Sequence, residues 1–323
     1  MLEFLTGFEP IDEANYNYEM KTRVEPYLAK RRRDGNLVCA DGKSLHYEAY
    51  EKLLSRGSIV VLHGFCESAE KMREMTYYLR RAGYSVYALD LRGHGHSFQQ
   101  SAKQERVEID CFDEYAEDLN LIIETVVKPV TVGKIHIYSH SLGSTVALLY
   151  MMKYTYAVDK AVLSSPMICG NMGMPVAVAG TVAKMLCAFG GKKISAPGRC
   201  VFNSEQTADD SDATSIARFN YYHEKRKNQP LYQTSGPSFG WVKASIEARD
   251  KILNKKALEM KSAKMLIFKP EQDRQLLSSY TEKFADMADV KIKNVKNSRH
   301  EIFMSRNDVM KWYVGEILEF FGE

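Results

Sequence analysis

Residues 135–144 read IHIYSHSLGS, and residues 145–154 continue the chain as TVALLYMMKY. The first stretch begins with β-branched and aromatic residues, which are typical of a strand, and the second is an apolar run typical of a helix. Ser141 stands at the junction, as in the G-x-S-x-G nucleophile elbow, although the position two before it is Ser139 and not Gly. We therefore expect a strained turn that holds the Ser141 hydroxyl beside the positive end of a helix dipole. A serine that only caps the helix is the alternative interpretation.

Alternating strands and helices extend over most of the chain. Strand-like runs occur at residues 36–40, 44–50, 58–63, 85–90, 135–139, 160–165, 264–269 and 290–295. Helical patterns lie at residues 68–82, 111–127, 141–154, 280–288 and 307–321. Strands that alternate with helices form right-handed crossovers and a parallel sheet. The pattern predicts an α/β fold with an eight-stranded, mostly parallel sheet flanked by helices. The first two strands are expected to form an antiparallel edge around the turn Asp41-Gly42-Lys43.

The alternation breaks between the sixth and seventh predicted strands, where residues 166–241 show helical segments and glycines but no strand pattern. A gap of this length in a compact α/β domain indicates an insertion with helices of its own. We therefore expect a lead-in at residues 1–35, a core at residues 36–165 and 246–323, and a helical cap inserted at residues 166–245.

Two polar side chains follow the last two predicted strands. Asp273 comes shortly after the seventh strand, and His300 comes shortly after the eighth. The carboxyl ends of parallel strands meet at the edge of the sheet where active sites lie. A nucleophile elbow requires an acid and then a histidine later in the chain. We therefore predict Ser141 as the nucleophile, His300 as the base and Asp273 as the acid, with Glu271 as the reserve acid.

An oxyanion hole is expected from two backbone N–H groups. In hydrolases with this elbow, one donor follows the nucleophile and the other lies in the loop after the third strand. These positions are Leu142 and Phe65, and Gly64 lets the backbone of the loop turn inward.

The remaining histidines predict neither a metal nor a cofactor. His94 and His96 are close in sequence, but no neighbouring Cys, Asp or Glu supplies a third ligand. His140 precedes Ser141, but successive side chains on a sharp turn diverge, so a role as the base is not expected. We expect no metal and no cofactor at the site.

The motifs together resemble the lysophospholipase and monoacylglycerol lipase branch of the α/β-hydrolase family. The resemblance covers nearly all of the chain after residue 35. It rests on Leu62-His63-Gly64-Phe65 with Glu67-Ser68, residues 90–97 (DLRGHGHS), Ser139–Gly143, Asp273, Arg299-His300-Glu301 and residues 236–241 (GPSFGW). It implies a helical cap over an apolar acyl pocket and a serine hydrolase that cleaves carboxylic esters of single-chain lipids through an acyl-enzyme. The implied partner is a small-molecule substrate, namely a monoacylglycerol, a lysophospholipid or another single-chain ester.

The cap contains an apolar segment, residues 172–189 (MGMPVAVAGTVAKMLCAF), with a single lysine. A helix packed on the core is one interpretation. A pocket wall or a lipid-facing surface that makes transient contact with a membrane is the other, because flexible methionines suit irregular acyl groups.

Composition narrows the class of partner and the compartment. The net charge of +3 over 323 residues indicates no nucleic-acid binding. Six scattered cysteines without metal-type spacing are expected to be reduced thiols. The N-terminal residues are acidic where a signal peptide is basic, and the longest apolar stretch, residues 174–183, covers roughly half a bilayer. We therefore expect a cytoplasmic protein.

Three other functions remain open at this point. A small-ester carboxylesterase would share the same catalytic residues. A peptidase of the proline iminopeptidase type would need acidic residues in the cap to hold an amine, whereas residues 221–229 (YYHEKRKNQ) mix acids and bases. A hydrolase-fold protein that binds ligands without turnover is disfavoured by the presence of Ser, Asp and His in order.

Overall fold

The computed structural model describes residues 8–98, 106–155, 157–197, 202–234, 236–254 and 263–323. Within them, eight strands form one sheet: β1 (Arg33–Val38), β2 (Ser44–Tyr50), β3 (Ser58–Leu62), β4 (Ser85–Leu89), β5 (Ile135–His140), β6 (Lys160–Ser164), β7 (Lys264–Pro270) and β8 (Lys291–Val295). Their spatial order is β1-β2-β4-β3-β5-β6-β7-β8. The β1–β2 and β2–β4 pairs are antiparallel, and every other pair of neighbours is parallel. The predicted eight-stranded, mostly parallel sheet is confirmed.

Helices cover both faces of the sheet. They are α1 (Arg73–Arg81), α2 (Asp113–Ile122), α3 (Leu142–Lys153), α4 (Val176–Ala188), α5 (Ile216–Asn228), α6 (Phe239–Ile252), α7 (Ser278–Ala288) and α8 (Asn307–Gly322). Alternate residues of β3 belong to two different apolar clusters. Val60 and Leu62 pack in the cluster that contains residues of α2, α3, α6 and α7, whereas Ile59 and Val61 pack in the cluster with residues of α1 and α8. Burial on both faces explains why this strand is apolar throughout.

The chain before the sheet is helical. It forms three consecutive segments, Tyr16–Glu19, Met20–Val24 and Glu25–Ala29, the second of which is a π-helix. The Tyr16 hydroxyl donates to Glu74 of α1 at 2.7 Å. Arg218 of α5 binds the same carboxylate through Nε at 2.9 Å and Nη2 at 2.7 Å. One buried carboxylate of α1 therefore binds both the lead-in and α5.

Helices α4, α5 and α6 lie between β6 and β7, in the part of the chain that breaks the alternation. Ser238 caps α6 by accepting the Trp241 N–H at 3.1 Å. Ala244 and Ala248 of α6 pack in the same apolar cluster as residues of α3. The boundary expected at residue 245 lies inside α6, so the division into core and cap remains a proposal.

The five described cysteines are free thiols, and Cys200 lies outside the described residues. In the described parts of the chain, no helix combines the length and the hydropathy needed to cross a bilayer.

Candidate active site

Ser141 lies in the turn between β5 and α3. Its backbone has φ 48° and ψ −113°, a conformation that is strained for a residue with a side chain. The helix approaches β3 closely, because a Cβ added to Gly143 would lie 2.6 Å from the Leu62 carbonyl oxygen. Glycine is therefore required at this position, and the close approach stabilises the turn that presents Ser141.

Ser139 occupies the other small position of the elbow. Its hydroxyl is fully buried, donates to the Val162 carbonyl at 2.9 Å and lies 3.0 Å from the Ser144 hydroxyl. These two partners satisfy the hydroxyl of Ser139, which a glycine would not have. A buried hydroxyl without a partner would be costly. The sheet thus accepts serine where the pattern has glycine.

The structure brings the three predicted catalytic side chains together. His300 Nε2 lies 3.0 Å from Ser141 Oγ, and His300 Nδ1 lies 2.9 Å from Asp273 Oδ2. The second oxygen of Asp273 accepts the backbone N–H groups of Gln275 and Leu276 at 2.9 and 3.0 Å. This arrangement fits a proton relay in which Asp273 orients the imidazole of His300.

The reserve acid, Glu271, points elsewhere. It is exposed, and its Oε2 accepts the Asn297 N–H at 2.8 Å on the neighbouring loop. The described contacts of Glu271 do not include His300. The geometry therefore favours Asp273.

The pKa values of the pair move in opposite directions. Burial alone would raise the pKa of Asp273, but the hydrogen bond and positive charge of His300 lower it below the ordinary value. Burial alone would lower the pKa of His300, but its hydrogen bond to Asp273 and the carboxylate charge raise it above the ordinary value. An imidazole with a raised pKa is suited to accept a proton from Ser141.

A further residue, Ser165, fixes the loop that carries His300. Its hydroxyl donates to the His300 carbonyl at 2.7 Å, and its own backbone has a positive φ of 45°. Ser165 follows β6 directly, and its N–H donates to the Phe268 carbonyl of β7 at 2.9 Å. No sequence motif marks this residue, because its partner is 135 positions away.

The two predicted oxyanion donors are available. Among the described residues, the backbone N–H groups of Phe65 and Leu142 donate to no protein acceptor. The loop is held by the Gly64 N–H, which donates to Glu67 at 2.7 Å. The Phe65 ring packs on Trp241 of α6 with their centroids 4.3 Å apart. Trp241 therefore contacts the loop that carries Phe65, a contact that the sequence did not reveal.

The other histidines have structural contacts. His63 Nε2 accepts the Leu91 N–H at 2.9 Å, and His94 Nδ1 lies 3.0 Å from the Arg92 carbonyl. The His96 ring lies 5.0 Å from the ring of His46. Burial lowers the pKa of His140 to about 3, so it is neutral at physiological pH. Within the described residues, no group of three or more His, Cys, Asp or Glu side chains is arranged to hold a metal ion.

A cavity of about 530 Å³ opens at Ser141 and His300. Its apolar lining includes Met167, Met172, Met174, Val182, Phe239 and Leu276. Its polar lining includes Glu67, Lys71, His140, Asp212, Arg226 and Glu301. Most of the apolar residues come from the segments between β6 and β7, so this insertion supplies a wall of the cavity.

The fold and the elbow define an α/β-hydrolase. The family model described as "Serine aminopeptidase, S33" (Hydrolase_4) matches residues 54–307, and the chain belongs to this family. This confirms the family that the motifs predicted.

Relatives and solved structures agree with that assignment. "Probable lysophospholipase L2" of Haemophilus influenzae is 23% identical over 257 residues, which cover 79% of this chain and 80% of that protein. "Monoacylglycerol lipase" of Mycolicibacterium smegmatis is 27% identical over 272 residues, which cover 81% of this chain and 89% of that protein. A soluble variant of monoglyceride lipase from Saccharomyces cerevisiae superposes with a TM-score of 0.69 at 17% identity, covering 90% of this chain and 94% of that one. A thermostable carboxyl esterase from Bacillus coagulans gives a TM-score of 0.72 at 18% identity, covering 90% and 98%. The two solved structures establish the shared fold.

Proposed function

We propose that this protein is a serine hydrolase that cleaves carboxylic esters of single-chain lipids, either monoacylglycerols or lysophospholipids. The observation that carries the proposal is the hydrogen-bonded series Ser141–His300–Asp273 at the mouth of a cavity of about 530 Å³. Relatives that bear the names lysophospholipase and monoacylglycerol lipase support this substrate class.

The proposed reaction has two steps that share one base. Ser141 Oγ attacks the ester carbonyl carbon while its proton passes to His300 Nε2. The carbonyl oxygen becomes an oxyanion, which accepts the N–H groups of Phe65 and Leu142. The C–O bond then breaks, and the alcohol leaves with the proton from His300. In the second step, water attacks the acyl carbonyl carbon while His300 takes its proton. The bond between that carbon and Ser141 Oγ then breaks, and His300 returns the proton to Oγ as the acid leaves.

The apolar wall of the cavity supports the proposal of a lipid ester as the substrate. Each methylene transferred from water to such a wall contributes about 0.8 kcal/mol. A volume of about 530 Å³ suits a single-chain molecule. We therefore propose that activity rises with acyl length until the chain outgrows the cavity.

A second candidate, an aminopeptidase, is favoured by the family description and by three carboxylates on the cavity wall. Glu67 and Glu301 are both bound to Lys71, however, and Asp212 accepts a hydrogen bond from Gln275 at 2.7 Å. An ammonium group would have to displace these partners. We therefore place ester hydrolysis first.

We also propose transient contact with a lipid surface through α4. Met174, Val178, Met185 and Phe189 are exposed on or beside this helix, and Phe189 is 86% exposed. Exposed apolar side chains on one helix suit insertion among lipid head groups. Phe189→Ser should weaken binding to phosphatidylcholine vesicles without slowing hydrolysis of dissolved 4-nitrophenyl butyrate. We keep the cytoplasm as the proposed compartment, in keeping with the five free thiols.

The test of the proposed function is a panel of substrates. The value of kcat/KM would be measured on 4-nitrophenyl esters of graded acyl length, a monoacylglycerol, a lysophosphatidylcholine and a proline arylamide. We expect the long-chain esters to exceed the acetate, and both lipids to exceed the arylamide. Faster cleavage of the arylamide than of either lipid would favour the aminopeptidase. A maximum at the acetate would favour a small-ester carboxylesterase.

A further inference from the structure

A buried lysine, Lys71, lies between the two loops that the proposed reaction needs. Its ammonium contacts Glu67 Oε1 at 2.9 Å and Glu301 Oε1 at 2.5 Å. The side chain of Lys71 is 8% exposed, that of Glu67 is 6% exposed and that of Glu301 is 17% exposed. Removing one member of a buried ion pair of this kind is costly, because it leaves an uncompensated charge.

Glu67 connects Lys71 to the oxyanion loop. Its second oxygen, Oε2, accepts the N–H of Gly64, the residue before Phe65. The loop is tight here, since a Cβ added to Gly64 would lie 2.9 Å from that oxygen, and Cys66 has a positive φ of 59°. The Glu67 carboxylate therefore holds the peptide group that immediately precedes the one carrying the Phe65 N–H.

Glu301 connects Lys71 to the base. Glu301 is the next residue in the chain after His300, and its backbone N–H donates to the Asp212 carbonyl at 3.0 Å. The carboxylate of Glu301 is separated from Glu67 by 234 positions in sequence, yet both bind one ammonium. Both carboxylates raise the pKa of Lys71 above its ordinary value although burial opposes this, so the ammonium stays charged.

We propose that Lys71 is a positioning residue, which holds the Phe65 loop and the His300 loop at a fixed separation through Glu67 and Glu301. This inference rests on the proposed function. Its consequence is that Lys71 acts on the rate of the chemical step and not on binding of the acyl chain. Small displacements of the Phe65 loop or the His300 loop are enough to lower the rate, because a misplacement of about 1 Å can cost a hundredfold in rate.

The charges of Lys71, Glu67 and Glu301 also act on His300. The charged or titratable groups that surround His300 are Asp273 after β7, Asp212 of the insertion, Glu301 on its own loop, His140 at the end of β5 and, behind His140, Glu67 and Lys71. Removing the positive charge of Lys71 makes this environment more negative and raises the pKa of His300. Removing the negative charge of Glu301 lowers it.

The experiment compares Lys71→Met, Lys71→Arg and Glu301→Gln with the wild-type protein on 4-nitrophenyl butyrate. We expect Lys71→Met to lower kcat about a hundredfold with little change in KM, and Lys71→Arg, which keeps the charge and two donors, to recover most of that loss. The acidic limb of the kcat/KM profile should shift to higher pH in Lys71→Met and to lower pH in Glu301→Gln. Lys225→Met is the matched control, because Lys225 also binds two carboxylates, Glu25 and Glu70, but lies outside the cavity lining.

Several results would overturn the inference. They are a folded Lys71→Met with nearly wild-type kcat, an equal loss in Lys225→Met, or a change confined to KM. If Lys71→Met does not fold, Glu301→Gln decides, and unchanged kcat together with an unshifted pH profile in that variant overturns the inference. Failure of the proposed function would be a separate result. If the wild-type protein cleaves the butyrate but no lipid, the comparison of the variants still tests the role of Lys71.

Discussion

Asp273 and Glu271 lie two positions apart on one loop, but their side chains have different partners. Asp273 binds His300 and two backbone N–H groups, whereas Glu271 caps the neighbouring loop at Asn297. Sequence order could narrow the acid to this loop, because the loop follows a strand and precedes the histidine. Only the fold shows which carboxylate turns inward.

The first prediction compares these two acids. Asp273→Asn should lower kcat for 4-nitrophenyl butyrate by about four powers of ten, because an amide favours the wrong tautomer of His300. Glu271→Gln is the matched control and should stay close to the wild-type rate. The reverse ranking would assign the acid to Glu271.

The second prediction concerns pH. His300 must be neutral to accept the proton of Ser141, so kcat/KM should fall as the pH decreases through the pKa of His300. That pKa is raised by Asp273, so the midpoint of the acidic limb should lie above the ordinary histidine value of about 6.5. In Asp273→Asn the limb should move to lower pH because the stabilising charge is gone. A limb below the ordinary value in the wild-type protein would contradict the role of His300.

At the scale of elements, apolar runs predicted the central strands β3, β4, β5 and β6 well because both faces of these strands are buried. The first strand differs most, since β1 begins at Arg33 and not at residue 36. Its polar, partly exposed residues show no apolar pattern, and pairing with β2 defines it instead. The helical lead-in also has partners that lie far away in sequence, because Tyr16 donates to Glu74 of α1 and Glu25 accepts from Tyr221 of α5.

The third prediction tests the cavity wall in α4. Val182 lines the cavity, whereas Val178, one turn earlier, is half exposed and lies outside the lining. Val182→Asp should lower kcat/KM for 4-nitrophenyl decanoate about tenfold, which corresponds to the burial of roughly two methylenes. The acetate should be little affected, and Val178→Asp should change neither substrate. Equal losses on acetate and decanoate would show that Val182 only stabilises the fold.

At the scale of the whole molecule, the lead-in, α1 and α5 meet at Glu74. Arg218 is fully buried against this carboxylate and also donates to the Ser305 carbonyl at 2.9 Å. Tyr16 and Tyr78 donate to the same carboxylate. No local pattern predicts such a network, because its members come from four distant parts of the chain. The same holds for Lys71 and Ser165, whereas the elbow around Ser141 was predictable because the residues of its pattern are consecutive in the chain.

The fourth prediction measures this network. Arg218→Met should lower the free energy of unfolding by about 3–5 kcal/mol, because it leaves Glu74 buried without its charged partner. Lys128→Met, which removes an exposed pair with Glu124, is the control and should cost less than about 1 kcal/mol. Urea unfolding followed by circular dichroism gives both values. Equal effects in the two variants would show that the buried pair contributes no more than a surface pair.

In the proposed reaction, Ser141 carries the acyl group during turnover of a single-chain lipid ester. The most direct measurement is mass spectrometry of the protein after rapid acid quenching during hydrolysis of a monoacylglycerol. We expect a mass increase of one acyl group, located on the peptide that contains Ser141, and neither adduct nor turnover in folded Ser141→Ala. Turnover that persists in Ser141→Ala, or an acyl group on a different residue, would contradict the account.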